Sequence, residues 1–162
     1  MRAEVERRHL VLRRLADGPV LDLSVDEGRS LLTRVLAGDR SAPVPEAGFR
    51  TVLSCAGFVR FPDLPAALAG VRMVLAGDGE LLAVEPQRRV ARGALAVASL
   101  AALVPAVRGV HLNRDVPAAL RAHDLCVTDL ERFDMATALW PLRSFVALRA
   151  RPLPLVAAGG ER

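Results

Sequence analysis

Lysine, tyrosine and isoleucine are absent from this chain, and asparagine and glutamine occur once each, as Asn113 and Gln87. With no lysine, all 22 basic residues are arginine, and with no tyrosine almost nothing titrates between neutrality and the guanidinium range. The sequence pI of about 10.7 follows from that gap, whereas the net charge is only +4. So modest a charge is a weak argument for nucleic acid, and none is expected as a partner. The two cysteines, Cys55 and Cys126, sit in apolar runs and read as small hydrophobes. Together with three histidines they show no metal-ligand spacing, so no metal site is expected. Long apolar runs are missing too. The longest uncharged stretch, Gly93–Val107, is shorter than the ~20 residues that cross a bilayer and carries Pro105, so no membrane partner is expected. The charged start, Met1-Arg2-Ala3-Glu4, is not a secretory signal, and the expected location is the cytoplasm.

What the chain has is apolar content: 52% of its 162 residues are hydrophobic. That suits one packed domain over 1–151, burying about two-thirds of its unfolded surface. Residues 1–17 read as an opening helix with Val5, Leu12 and Leu15 on one side and a solvated arginine face around them. Val20–Leu23 is a buried strand, Ser24–Gly28 a turn and Arg29–Thr33 a short helix. Arg34–Asp39 reads as a short extended piece, followed by the Pro43–Pro45 loop. Thr51–Cys55 is the next strand. Asp63 caps a helix running to about Leu75 with Pro65 in its first turn. The turn Ala76–Gly79 then leads into strand Glu80–Glu85. A helical region over 88–107, a helix at Val116–Ala122 capped by Asp115, and two closing strands at Leu125–Phe133 and Leu142–Arg151 complete the domain. Residues 152–162 read as a flexible tail. Strands alternating with helices predict an α/β fold with a mainly parallel sheet of five or six strands and a C-terminal antiparallel hairpin.

The stretch TVLSCAGFVRFPDLPAALAGVRMVLAGDGELLAVEP, residues 51–86, resembles the second half of class I S-adenosylmethionine-dependent methyltransferases. There a strand is followed by a helix of this kind, a glycine turn and a strand ending in Glu-Pro. His111–Leu120, Val127–Phe133 and Thr137–Leu142 resemble small-molecule members of the same family. The resemblance implies a shortened Rossmann-like sheet and S-adenosylmethionine as cofactor. That ligand would lie across the carboxyl ends of the strands at 20–23 and 51–55, at the sheet's switch point.

The first half of the chain departs from the family, whose signature is V-L-D-L-G-x-G-x-G, where glycines let the backbone approach the cofactor. Val20-Leu21-Asp22-Leu23 fits it; Ser24 and Asp26 replace the first two glycines, and Gly28 keeps the third. Between Val20 and Thr51 the family threads two further strand–helix units, for which this chain is too short. On the resemblance, Arg34–Asp39 matches the third strand, and the second, which carries the acidic residue that holds the ribose, is missing.

The candidate cofactor residues are therefore Asp22, Ser24, Asp26, Glu27, Gly28, Asp39, Cys55 and Gly57. Asp22 would reach the cofactor's amino group, or be a polar strand end. Asp26 and Glu27 would replace the ribose acid, or complement a helix N-terminus. Asp39 would face the adenine, or be a solvated loop residue. Cys55 would line the crevice or pack as an inert thiol, and Gly57 would let the ligand pass. His111, in a substrate-side insert over 88–115, is the candidate catalytic base, with helix capping by its neighbours as the alternative. His9 and His123 are expected in water on helix faces. The implied function is a methyltransferase-like protein acting on a small molecule, with cofactor binding weakened or lost. The alternative is a catalytically inactive binding or dimerisation protein, since a homodimer would cover apolar faces left by an internal loss.

Overall fold

In a computed structural model, the structure describes residues 2–87, 111, 114–134 and 144–153, with side chains from Val5 onward. The order is α1 (Arg2–Leu15), β1 (Val20–Asp22), α2 (Asp26–Leu36), β2 (Phe49–Cys55), a 3-10 turn (Phe58–Arg60), α3 (Leu64–Val74), β3 (Leu75–Pro86), α4 (Val116–Arg121), β4 (Leu125–Asp134) and β5 (Ser144–Pro152). The strands form one sheet in the order β1-β2-β3-β5-β4. β1 to β3 pair in parallel, and β5 alone runs the other way, antiparallel to both β3 and β4. This is the expected α/β sheet with its C-terminal antiparallel pair.

Period-two alternation gives every strand an apolar residue on each face. Leu21, Val52, Leu81, Ala83, Val146 and Leu148 share a core with Leu32 of α2, Leu68 and Val71 of α3 and Leu120 of α4. Leu53, Cys55, Leu82, Val84 and Phe145 pack with Leu12 of α1. Three helices thus cover one face, and among the described residues α1 alone covers the other.

The sequence placed the third strand of the family at Arg34–Asp39, and the structure corrects this. α2 continues to Leu36 and ends at Gly38, whose φ of +78° is the left-handed cap glycine favours. Leu32 and Leu36, four apart, fall on one helical face and close over Gly70 of α3, where a Cβ would come within 3.0 Å of Leu36. Helical spacing wins over the local β-branched appearance. The switch point is corrected with it. A doubly wound sheet has the order 3-2-1-4-5-6, and its helices change face between strands 1 and 4. Here β1, β2 and β3 advance in one direction, so connections of one hand place α2 and α3 on the same face. β1 is the outermost strand. The Ala76–Gly79 turn is absorbed into β3 as an irregularity, between the Phe49–Leu75 and Thr51–Glu80 pairs. The helical region expected at 88–107, the 135–141 connection and the end of the tail lie outside the described residues.

Gly28 explains how α2 leaves β1 so sharply. A Cβ there would stand 1.9 Å from the Asp22 carbonyl oxygen, a backbone atom that cannot step aside. Gly28→Ala is expected to cost about 3 kcal/mol in chemical denaturation. Gly77→Ala, where a Cβ would meet nothing within 4 Å, is expected to stay within about 0.5 kcal/mol of wild type.

Candidate functional site

The carboxyl ends of β1 and β2 bring together Asp22, Ser24, Cys55 and Gly57, with Gly28 behind them in the first turn of α2. Asp22 turns its carboxylate on its own chain. Oδ1 accepts the Ser24 amide at 2.9 Å, a local turn of the kind aspartate favours, and Oδ2 lies 2.7 Å from Nε2 of His9. Arg13 stands 3.9 Å from the same oxygen. His9, expected in water, is instead folded against the site: its largely buried imidazole meets the Asp22 carboxylate. The serine that replaces the first glycine is also engaged, since its Oγ accepts the Cys55 amide at 2.9 Å. The Ser24 side chain thereby bridges the two strand ends.

Asp26 and Glu27 occupy the first turn of α2, where carboxylates complement the helix dipole. Asp26 is exposed and pairs with Arg29, while the Arg29 guanidinium also donates to the Leu23 carbonyl at 2.8 Å. Asp39 is not brought to the site, because α2 carries the chain back to the opposite end of the sheet. There the Ser41 hydroxyl and amide and the Arg34 guanidinium hold its carboxyl down at about 2. Cys55 is a buried thiol whose Sγ donates to the Val5 carbonyl at 3.5 Å. Burial first, then the charges of Glu85 and Asp22, push it up to about 12, so no reactive thiolate forms. His111 reaches this end of the sheet through its backbone, which donates to the Val59 carbonyl at 2.7 Å, and its side chain is exposed. Asp115 caps α4 by accepting the Ala118 amide at 3.0 Å.

Two residues outside the candidate set, Arg114 of the polar cluster around His111 and Glu85 of the strand-ending Glu-Pro, shape this region. Arg114 donates to the carbonyls of Phe58 and Pro62, at 2.8 and 2.9 Å, and clamps the 3-10 turn. Glu85, wholly buried at the end of β3, accepts on Oε1 from Ser54 Oγ (2.6 Å), the Gly57 amide (3.0 Å) and the Phe58 amide (3.2 Å). Its Oε2 has no partner. A carboxylate followed by proline at a strand end was the available signal, but nothing in sequence shows that it is buried.

Solved structures match this arrangement. A protein of Bacillus halodurans C-125 described as a methyltransferase candidate superposes with a TM-score of 0.59 at 12% identity, over 93% of this chain and 98% of its own. Burkholderia thailandensis 1,6-didemethyltoxoflavin-N1-methyltransferase, solved with bound 1,6-didemethyltoxoflavin and S-adenosylhomocysteine, gives 0.54 at 18% identity, over 94% of this chain and 77% of that one.
The fold is that of class I S-adenosylmethionine-dependent methyltransferases, shortened.
The arsenic(III) S-adenosylmethionine methyltransferase of Chlamydomonas reinhardtii also matches, at 0.48 and 21% identity over 74% of this chain, which spans only 42% of that protein. No family model and no curated protein matches the sequence. No described helix is long and apolar enough to cross a membrane, and the described residues contain no cluster of metal-binding side chains.

Within this methyltransferase fold two measurements test the site's chemistry. A thiol reagent at pH 8 is expected to modify exposed Cys126 in the native protein, and Cys55 only after denaturation. The second concerns Glu85, which burial pushes up to about 7 from 4.5. Between those values the unfolded carboxyl loses its proton while the folded one keeps it. The folded state then binds more protons, and stability falls as pH rises through that window. Glu85→Gln removes this loss, so relative to wild type the variant is expected to gain about 3 kcal/mol between pH 4.5 and pH 8, read from denaturation midpoints at each pH. Parallel curves for the two proteins would contradict the assignment.

Proposed function

We propose that this is a small-molecule methyltransferase-like protein in which cofactor binding is strongly weakened, so that the chain alone does not sustain methyl transfer. The observation that carries the reading is that β1 is the outer strand of the sheet among the described residues. S-adenosylmethionine is the cofactor its neighbours' descriptions point to, and the residues present make only part of a place for it. Asp22 and the Cys55 amide, at the methionine end, are already bonded to His9 and Ser24. The spaces left by the missing side chains of Gly28 and Gly57 are filled by the chain's own backbone, the carbonyl oxygens of Asp22 and Leu23. On the ribose side no described strand lies beyond β1 to supply an acidic residue. The fit is incomplete, and no catalytic step is derived through the cofactor.

Calorimetric titration with S-adenosylhomocysteine tests this. The expected dissociation constant is about 1 mM or weaker. A thermal-shift series should then show stabilisation of only about 0.4 kcal/mol at 1 mM ligand. Binding tighter than about 100 µM, worth more than about 5 kcal/mol, would overturn the reading.

A second reading, a binding or dimerisation protein without catalysis, is favoured by one observation. Leu10, Val11 and Leu15 of α1 are 60%, 48% and 54% exposed on the thinly covered side of the sheet. Light scattering across a concentration series tests the dimerisation form of this reading, which requires a dimer.

A further inference from the structure

The methyltransferase-like reading engages Asp22 and Ser24 and leaves Glu85 without a task. A wholly buried acid is rare unless paired, and this one draws its hydrogen bonds from neutral donors. Three of them converge on one oxygen while the other has none. The segment they hold is constrained on both sides. Ala56 has φ of +53°, a left-handed conformation unusual for alanine, and its amide is tied to the Val84 carbonyl at 2.9 Å. At Gly57 a Cβ would come within 2.5 Å of the Leu23 carbonyl oxygen and 2.7 Å of Ser54 Oγ. Backbone in such a conformation persists where its surroundings over-determine it.

We propose that Glu85 is the positioning residue of the candidate site: it gathers Ser54, Gly57 and Phe58 on one oxygen and fixes the 55–58 turn in the shape presented to a ligand. This rests on the methyltransferase-like reading of that turn. The elements packed around Glu85 bring few ionisable groups to it. On β2 the neighbour is Cys55, kept a thiol by burial. On the segment before α4 it is Arg114, whose guanidinium is engaged with the Phe58 and Pro62 carbonyls and is itself offset by Asp63. Opposite on β5 stands the apolar Val146. A proton placed on Oε2 leaves Oε1 a neutral carbonyl with two lone pairs for three donors. Its loss makes all three bonds charge-assisted and stronger. Ionisation therefore tightens the turn while lowering the stability of the whole fold. Those opposite signs separate positioning from a purely structural role.

Amide hydrogen exchange by NMR on the full chain without ligand, corrected for intrinsic rates, reads both effects. From pH 5.5 to pH 8.5 the protection of the Gly57 and Phe58 amides against local opening is expected to rise about tenfold, while the denaturation midpoint of the same protein falls. In Glu85→Gln both responses should be absent. Protection that stays flat or falls in step with global stability in the wild type overturns the proposal, as does a rise that survives in the variant. The test uses no ligand. Failure of S-adenosylhomocysteine to bind as expected therefore bears on the methyltransferase-like reading, and the exchange result bears on Glu85 alone.

Discussion

The handedness of parallel crossovers governs this molecule. A strand, a helix and a neighbouring parallel strand join almost always in one hand, so the face on which a helix lands is set by the direction in which the strand order moves. Removing the strands that normally lie beyond β1 changes that direction for the first crossover. α2 goes to the side of α3, packs on it at Gly70, and joins the same core. The crevice of a doubly wound sheet opens between helices on opposite faces. With α2 and α3 together on one face, that change of face is not made between β1 and β2, and the polar groups at those strand ends are bonded within the chain.

They are satisfied by residues that come with the rearrangement. α1 sets His9 on Asp22, while Ser24 covers the Cys55 amide. A buried donor left without a partner costs about 1–3 kcal/mol, so these internal bonds stabilise the strand ends. A ligand entering here would have to displace bonds already made, which is why the likeness to a structure holding S-adenosylhomocysteine argues for the architecture and not for equal affinity.

Much of the architecture could be read from local signals. Asp63 and Asp115 both cap helices that carry proline in the first turn, and the runs read as strands at 51–55, 125–133 and, where described, 144–151 are strands. The expectations that failed were long-range. Arg34–Asp39 looks extended in isolation, and only the α3 surface, forty residues away, shows that Leu32 and Leu36 serve a helix. His9 reads as one residue on a charged face until the path of α1 over β1 is known. Glu85 was visible as half of a strand-ending Glu-Pro, but its importance lies in burial and in three donors from two segments. Sequence patterns report the period of burial along an element and not which distant backbone groups meet there.

With no described strand beyond it, β1 is an edge of the sheet, and this chain limits what its edges can do. β1 is three residues long and follows Pro19, which has no amide to offer a pairing strand. At the other side β4 is long but is broken by a bulge between Val127 and Asp129 and carries Asp129, Glu131 and Arg132 in exposed positions. Neither edge suits strand addition by a second chain. On the dimerisation reading, association would fall on the helical surface of α1, where Leu10, Val11 and Leu15 stand exposed, and so on the element that also carries His9 onto Asp22. A partner docking there would act on the closed strand ends through the position of α1. On that reading a single helix would join the partner's surface to the candidate site.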